Sequence, residues 1–253
     1  MHAFSLQPGD VHLYCTCLEQ VRNQALTDLY YRILSPEERE TVRKIKSAEK
    51  RHESLVTKAL VRFVLARYCR IEPEAVRFAQ GPHGKPALLP GISPLPVRFN
   101  LSHCKGLAGC AVTLDADIGL DMEDHHRRVN LDLATRFFSQ PEIKQLEKIQ
   151  DPGARQALFL KLWTLKEAYV KAVGKGLSMG LDKFSFVFDQ DRPDIRFVSE
   201  KAKTAGTWHF YSFTLLGRCT AAAGVRSAHP KRPVIHVHAC IPFDSSQFQG
   251  QIP

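Results

Sequence analysis

Asp121, Glu123, Glu167 and Lys171 are the residues of this chain whose types and spacing best suit chemistry. The first two lie in Gly119-Leu120-Asp121-Met122-Glu123, which reads as a strand, where alternate side chains share a face. The other two lie in Trp163-Thr164-Leu165-Lys166-Glu167-Ala168-Tyr169-Val170-Lys171, which reads as a helix, where residues four apart are neighbours. Three carboxylates offer the oxygen donors that a hard cation such as Mg2+ takes, and an ammonium beside them suits phosphate oxygens. The pattern points to a magnesium-dependent enzyme acting on a phosphate ester or anhydride.

Each signal has a plainer explanation that must be weighed against it. Two acids on the polar face of a half-exposed strand arise by chance. A Glu–Lys pair one helical turn apart is common on exposed helices and contributes only ~0.2–0.5 kcal/mol. This pair, however, is set among Phe159, Leu160, Leu162, Trp163, Leu165, Ala168, Tyr169 and Val170. Such a segment is expected to be largely buried, and a buried acid and base need a charged reason to be there. Gly84-Lys85-Pro86 could lay a lysine and backbone N–H groups along a phosphate, although most such turns are only turns. Asn100-Leu101-Ser102-His103 ends a strand with three polar residues, and His103 taken alone suits a structural histidine.

The elements that must position these residues can be read along the chain. Val11–Cys15 alternates and is the first expected strand. Ser35-Pro36-Glu37-Glu38 is a helix start, and a helical region follows to about Tyr68 with a break near Ser47. Within it Arg62 interrupts an apolar face and is expected to pair internally with an acid. Residues 81–86 form a loop; Val97–His103 and Leu107–Leu114 read as strands ahead of the one carrying Asp121. Helices are expected at Leu131–Phe138, Pro141–Ile149 and Ala154–Val173, the last ending at Gly174. Phe184–Phe188, Ile195–Val198, Trp208–Leu215 and Thr220–Val225 read as closing strands. Both halves thus run strand, helices, one long helix, then strands. This predicts an α+β protein of two similar lobes, each a small, mostly antiparallel sheet packed by helices. The expected bounds are 1–116 and 117–253, with the active site at the interface.

Composition sets the outer limits. The 253 residues carry a net charge of +9, which attracts anionic partners such as nucleic acid, acidic proteins or nucleotide cofactors. Seven cysteines form no C-x-x-C pair and no zinc-ligand spacing, so reduced thiols packed as small apolar residues are expected, Cys15 and Cys17 among them. No basic-then-apolar leader opens the chain and no stretch approaches the ~18 apolar residues of a membrane span, so a cytoplasmic location without membrane contact is expected.

Taken in order, five segments carry a resemblance: Gly84-Lys85-Pro86, Phe99–His103, Gly119–Glu123, Phe137-Phe138-Ser139-Gln140-Pro141-Glu142, and Trp163–Leu177. Together they resemble the 4′-phosphopantetheinyl transferases of the longer, Sfp-type class, from about Ser35 to Phe188. The resemblance implies an enzyme that moves the phosphopantetheine arm of coenzyme A onto a serine of an apo acyl or peptidyl carrier protein, releasing adenosine 3′,5′-bisphosphate. It implies a monomer acting in fatty-acid, polyketide or nonribosomal-peptide synthesis, without nucleic acid. By the same resemblance Asp121, Glu123 and Glu167 would bind Mg2+, and Lys171 would neutralise the leaving group. Lys85, Ser102 and His103 would contact the nucleotide. The carrier serine needs a base, and Glu167 directly, or a metal-bound water, could serve. One departure stands out. Where relatives hold bases just after the Ser-Pro-Glu start, this chain has Glu38 and Thr41, with Arg43, Lys44, Lys46 and Lys50 further on.

Two other readings share these residues. Metal-dependent nucleases also use two acids, a lysine and Mg2+, but there the last acid and the lysine are two apart on a strand. A carrier-protein binder without catalysis would keep the basic surface and show no turnover.

Overall fold

Side-chain caps fix where the helices begin. The Ser35 hydroxyl accepts from the Glu38 amide at 3.2 Å while the Glu38 carboxylate accepts from the Ser35 amide at 3.0 Å, with proline next in line. Ser47 accepts from the Lys50 amide and Asp151 from the Ala154 amide, starting two 22-residue helices where the chain would otherwise leave amides unmet. Gly174 ends the second of these in the left-handed region, at φ 75°.

The computed structural model describes residues 6–81, 83–130, 132–190, 192–197, 207–228 and 231–244. In chain order the elements are β1 (Asp10–Cys17), α1 (Gln24–Ile33), α2 (Pro36–Lys44), α3 (Ala48–Cys69), β2 (Phe78–Gln80), β3 (Pro86–Leu88), β4 (Val97–Cys104) and β5 (Leu107–Leu114). There follow β6 (Asp117–Asp124), α4 (Leu133–Phe137), α5 (Gln140–Lys148), α6 (Pro152–Val173), β7 (Phe184–Asp189), β8 (Arg192–Phe197), β9 (Thr207–Leu215), β10 (Cys219–Ser227) and β11 (Val234–Ala239). The expected ends at Leu131 and Val198 lie outside the described residues.

The described chain divides into two compact units, each an α+β lobe. The first takes the described residues of 1–80, 86–115 and 233–253; the second takes those of 81–85 and 116–232. The division falls at Ala116, but the segment from Pro233, expected in the second lobe, belongs to the first. The reason is β11, which runs parallel to β1 from Asp10↔Val234 to Cys15↔Ala239. Neither β11 nor α1 was expected from the sequence. β11 alternates only weakly, and α1 is polar on one side, capped by Asn23 and buried through Tyr30 and Ile33.

In the first unit the sheet order is β11-β1-β5-β4, antiparallel except at β11. Helix α3 lays Leu55, Val56, Leu60, Phe63 and Val64 into a core shared with Tyr14, Ala108, Cys110 and Val112. Arg62, 2% exposed, donates to the Glu38 carboxylate at 2.7 Å and to the carbonyls of Pro73 and Val76. The expected internal pair is therefore present, and its acid is the capping residue of α2. In the second unit the order is β6-β10-β9, antiparallel, with β7 and β8 as a separate hairpin. Helix α6 covers this sheet through Leu162, Leu165, Ala168 and Tyr169, packed with Phe184, Phe186, Phe210 and Ala222. All seven cysteines are free thiols, six of them buried, as apolar packing requires. No helix of the described residues is long and apolar enough to cross a membrane.

Candidate active site

The close approach of α6 to β6 starts from a glycine. A Cβ placed on Gly119 would lie 1.9 Å from the Ala168 carbonyl oxygen and 2.5 Å from the Ala172 amide. Only a residue without a side chain lets the helix backbone rest on the strand there. Its cross-strand partner is Gly224 on β10, where a Cβ would crowd the Phe210 ring at 3.0 Å. Two residues along β10 from Gly224, and so on the same face, lies the small, buried Ala222, which keeps the sheet surface beneath the helix low.

Because the helix sits so low, its polar stripe meets the acids of the strand. Lys171 donates to Asp121 Oδ1 at 2.7 Å and to the Leu120 carbonyl at 3.1 Å. Asp121 is 6% exposed, and its carboxyl is pushed upward by burial, with Lys171 opposing and Glu123 adding to the rise. Glu167, one helical turn before Lys171, is half-buried. Its carboxyl is likewise raised, by burial first, then by Asp121 and, more weakly, Glu123, with Lys171 opposing. The three carboxylates therefore feel one another's charge across strand and helix. In this arrangement Asp121 faces Lys171 while Glu123 forms an ion pair with Arg127, so two of the three are turned to cations of the protein itself.

In donor chemistry the three suit a hard divalent cation, being all carboxylate oxygens, and Asp121 and Glu167 are each raised by burial and by neighbouring carboxylates, although the ligand atoms of the three are not gathered within 4.8 Å of one another. Arg127 was not singled out in the sequence. It lies four residues beyond Glu123, past the end of β6, and nothing in the run Asp124-His125-His126-Arg127 marks it as a partner.

Lys85 belongs to the same unit. Its ammonium donates to the Ile118 carbonyl at 3.0 Å and the Ala172 carbonyl at 2.9 Å. It thus ties the 81–85 loop to the start of β6 and to the C-terminal end of α6, where the helix dipole favours a cation. Its stem passes over Gly174, where a Cβ would stand 3.3 Å from the Lys85 Cδ.

Ser102 and His103 lie in the first unit, adjacent on β4 and so on opposite faces. Ser102 is buried with Asn100, whereas the half-exposed His103 contacts the Glu53 carboxylate at 3.2 Å. Glu142, whose segment resembles the family's, points into the core instead of toward the acids of β6. It completes the cap of α5 and pairs with Lys166 at 2.8 Å, both side chains fully buried.

Comparison with known proteins identifies the family. A profile described as 4′-phosphopantetheinyl transferase superfamily matches residues 117–223, and one described as 4′-phosphopantetheinyl transferase, N-terminal, matches residues 23–114. The chain is 33% identical over 180 residues to the 4′-phosphopantetheinyl transferase Sfp of Bacillus subtilis, covering 71% of this chain and 77% of that protein. It is 32% identical over 222 residues to the 4′-phosphopantetheinyl transferase HetI of a Nostoc species, covering 87% and 90%. Among solved structures, the holo-[acyl-carrier-protein] synthase of Thermotoga maritima is 20% identical with a TM-score of 0.38, covering 45% of this chain and 64% of that one.

Proposed function

The chain belongs to the 4′-phosphopantetheinyl transferase superfamily, in its Sfp-type class, and from that membership we propose that it transfers the phosphopantetheine arm of coenzyme A to a serine of an apo carrier protein in a Mg2+-dependent reaction. The observation that carries the reading is the meeting of Asp121 and Glu123 on β6 with Glu167 and Lys171 on α6. Asp121, Glu123 and Glu167 are the residues that would hold Mg2+, which when bound supplies positive charge for pyrophosphate oxygens.

The chain's own residues supply the rest. Glu167, on α6 beside the acids of β6, takes the proton of the carrier serine. The serine oxygen bonds to the phosphorus that bears pantetheine, the bridging phosphoanhydride bond breaks, and adenosine 3′,5′-bisphosphate departs with the bridging oxygen. Lys171, held at the Asp121 carboxylate, neutralises charge on that leaving group. Such a reaction asks mainly for positioning and fixed positive charge, which a lysine pinned between a strand and a helix provides. Lys85, Ser102 and His103 complete the proposal as nucleotide contacts, on the match of their motifs. The basic net charge suits an acidic carrier protein as partner.

Helical placement of Glu167 and Lys171 weighs against the nuclease reading, which needs acid and lysine two apart on a strand. The test is to mix the protein with an apo carrier, coenzyme A and Mg2+ and weigh the carrier. One phosphopantetheine added per carrier serine, lost on omitting Mg2+ and in Glu167→Ala, is expected. An unmodified carrier, or full transfer by both Glu123→Ala and Glu167→Ala, overturns the proposal.

A further inference from the structure

The first unit carries a second group of metal-ligating side chains that the transfer reaction does not use. Asp10, His12 and His236 each bring one ligand atom within 4.8 Å of the others. The cause is the parallel pairing of β1 with β11. His12 stands opposite His236 in register, and Asp10 precedes His12 by two, so all three side chains fall on one face of the sheet. The two imidazoles lie 5.2 Å apart edge to face, and His236 Nε2 is 3.6 Å from Asp10 Oδ1.

We propose that Asp10, His12 and His236 bind a Zn2+ ion that clips the last strand to the first. Two imidazoles and a carboxylate are donors that suit zinc and neighbouring transition metals, whereas Mg2+ prefers an all-oxygen set. Zinc–ligand bonds of ~2.0–2.2 Å place tetrahedral donors closer together than 4.8 Å, so modest side-chain rotation closes the site. His12 is already oriented for the task. Its Nδ1 shares a 2.7 Å hydrogen bond with the Tyr68 hydroxyl, itself 2.7 Å from the Tyr14 hydroxyl, which presents the other ring nitrogen as ligand. His12 is buried, while the side chains of Asp10 and His236 are 24% and 27% exposed, so an ion can enter from solvent and keep a water as its fourth ligand.

The test is equilibrium dialysis of the full chain against Zn2+ with Mg2+ in large excess, so that the carboxylates of β6 and α6 are saturated. The wild-type protein should retain one Zn2+, and Asp10→Asn and His236→Gln should each lose it while folding normally, since both positions are at the surface. Hydrogen exchange of the β11 amides should slow on adding Zn2+ to wild type and stay unchanged in His236→Gln. Co2+ in place of Zn2+ should give visible bands without thiolate charge transfer. No retained Zn2+, an ion retained by both variants, or a thiolate band assigning the ion to the cysteines would overturn the proposal.

Discussion

Glu142 and Lys166 form an ion pair with no exposure to solvent on either side chain. The acid also accepts from the Ser139 amide and hydroxyl and, through Oε1, from the Phe186 amide. The ammonium also donates to the carbonyls of Leu181 and Phe184, each at 2.7 Å, so all three of its protons are used. Burial drives the lysine's pKa down and Glu142 opposes that fall. The pair locks α5, α6 and the start of β7 together one residue before Glu167. Glu142→Ala leaves a buried ammonium without its counter-ion and should cost ~3–5 kcal/mol of unfolding free energy, read by urea denaturation. Mg2+ should not restore it. A loss under 1 kcal/mol, as for an exposed pair, would contradict this account.

Gly119 sets the distance between the acids of β6 and the stripe of α6. Gly119→Ala drives a methyl into the helix backbone, which cannot rotate away as a side chain would. Overpacking of this kind costs about 1–3 kcal/mol or more. The expected result is a lower melting temperature together with loss of transfer exceeding the loss of folded protein. Unchanged kcat and stability would mean the helix can lift without consequence.

Arg127 competes for Glu123. Its guanidinium occupies the carboxylate that would otherwise face a cation. Arg127→Ala should lower the Mg2+ concentration needed for half-maximal transfer, by roughly the few-fold expected of a partly exposed pair worth ~0.2–1 kcal/mol. A higher Mg2+ requirement would show instead that the arginine serves the substrate.

Glu167 makes the metal-free protein sensitive to pH. Its raised carboxyl binds a proton more tightly in the folded chain than in the unfolded one, whose ordinary value is 4.5. Below 4.5 both states are protonated and the preference is fully expressed. As pH rises through the elevated value, the buried charge forms and that stability is lost. Glu167→Gln should therefore melt higher than wild type at neutral pH without Mg2+, with the difference shrinking on acidification toward 4.5. Mg2+ should stabilise wild type and not the variant. A difference independent of pH would sink the idea.

Local chemistry was legible in the chain itself. The Ser35 capping box, the break at Ser47 and the glycine stop at Gly174 follow from caps acting within four residues. Asp121 with Glu123, and Glu167 with Lys171, share faces through the strand and helix periods alone. Partners remote along the chain were decided by the tertiary structure. Arg62 needed an acid by its burial, but only packing of α2 on α3 made it Glu38. Nothing near Glu142 in sequence names Lys166, and Lys85 turned out to bind carbonyls of β6 and α6. β11 lacks a strong alternating pattern, and its place beside β1 comes from ladder bonds that a distant neighbour supplies. Periodicity and capping are properties of consecutive residues, so the sequence determined them; which buried charge meets which, and how low a helix lies on its sheet, depend on backbone approach that only the folded chain sets.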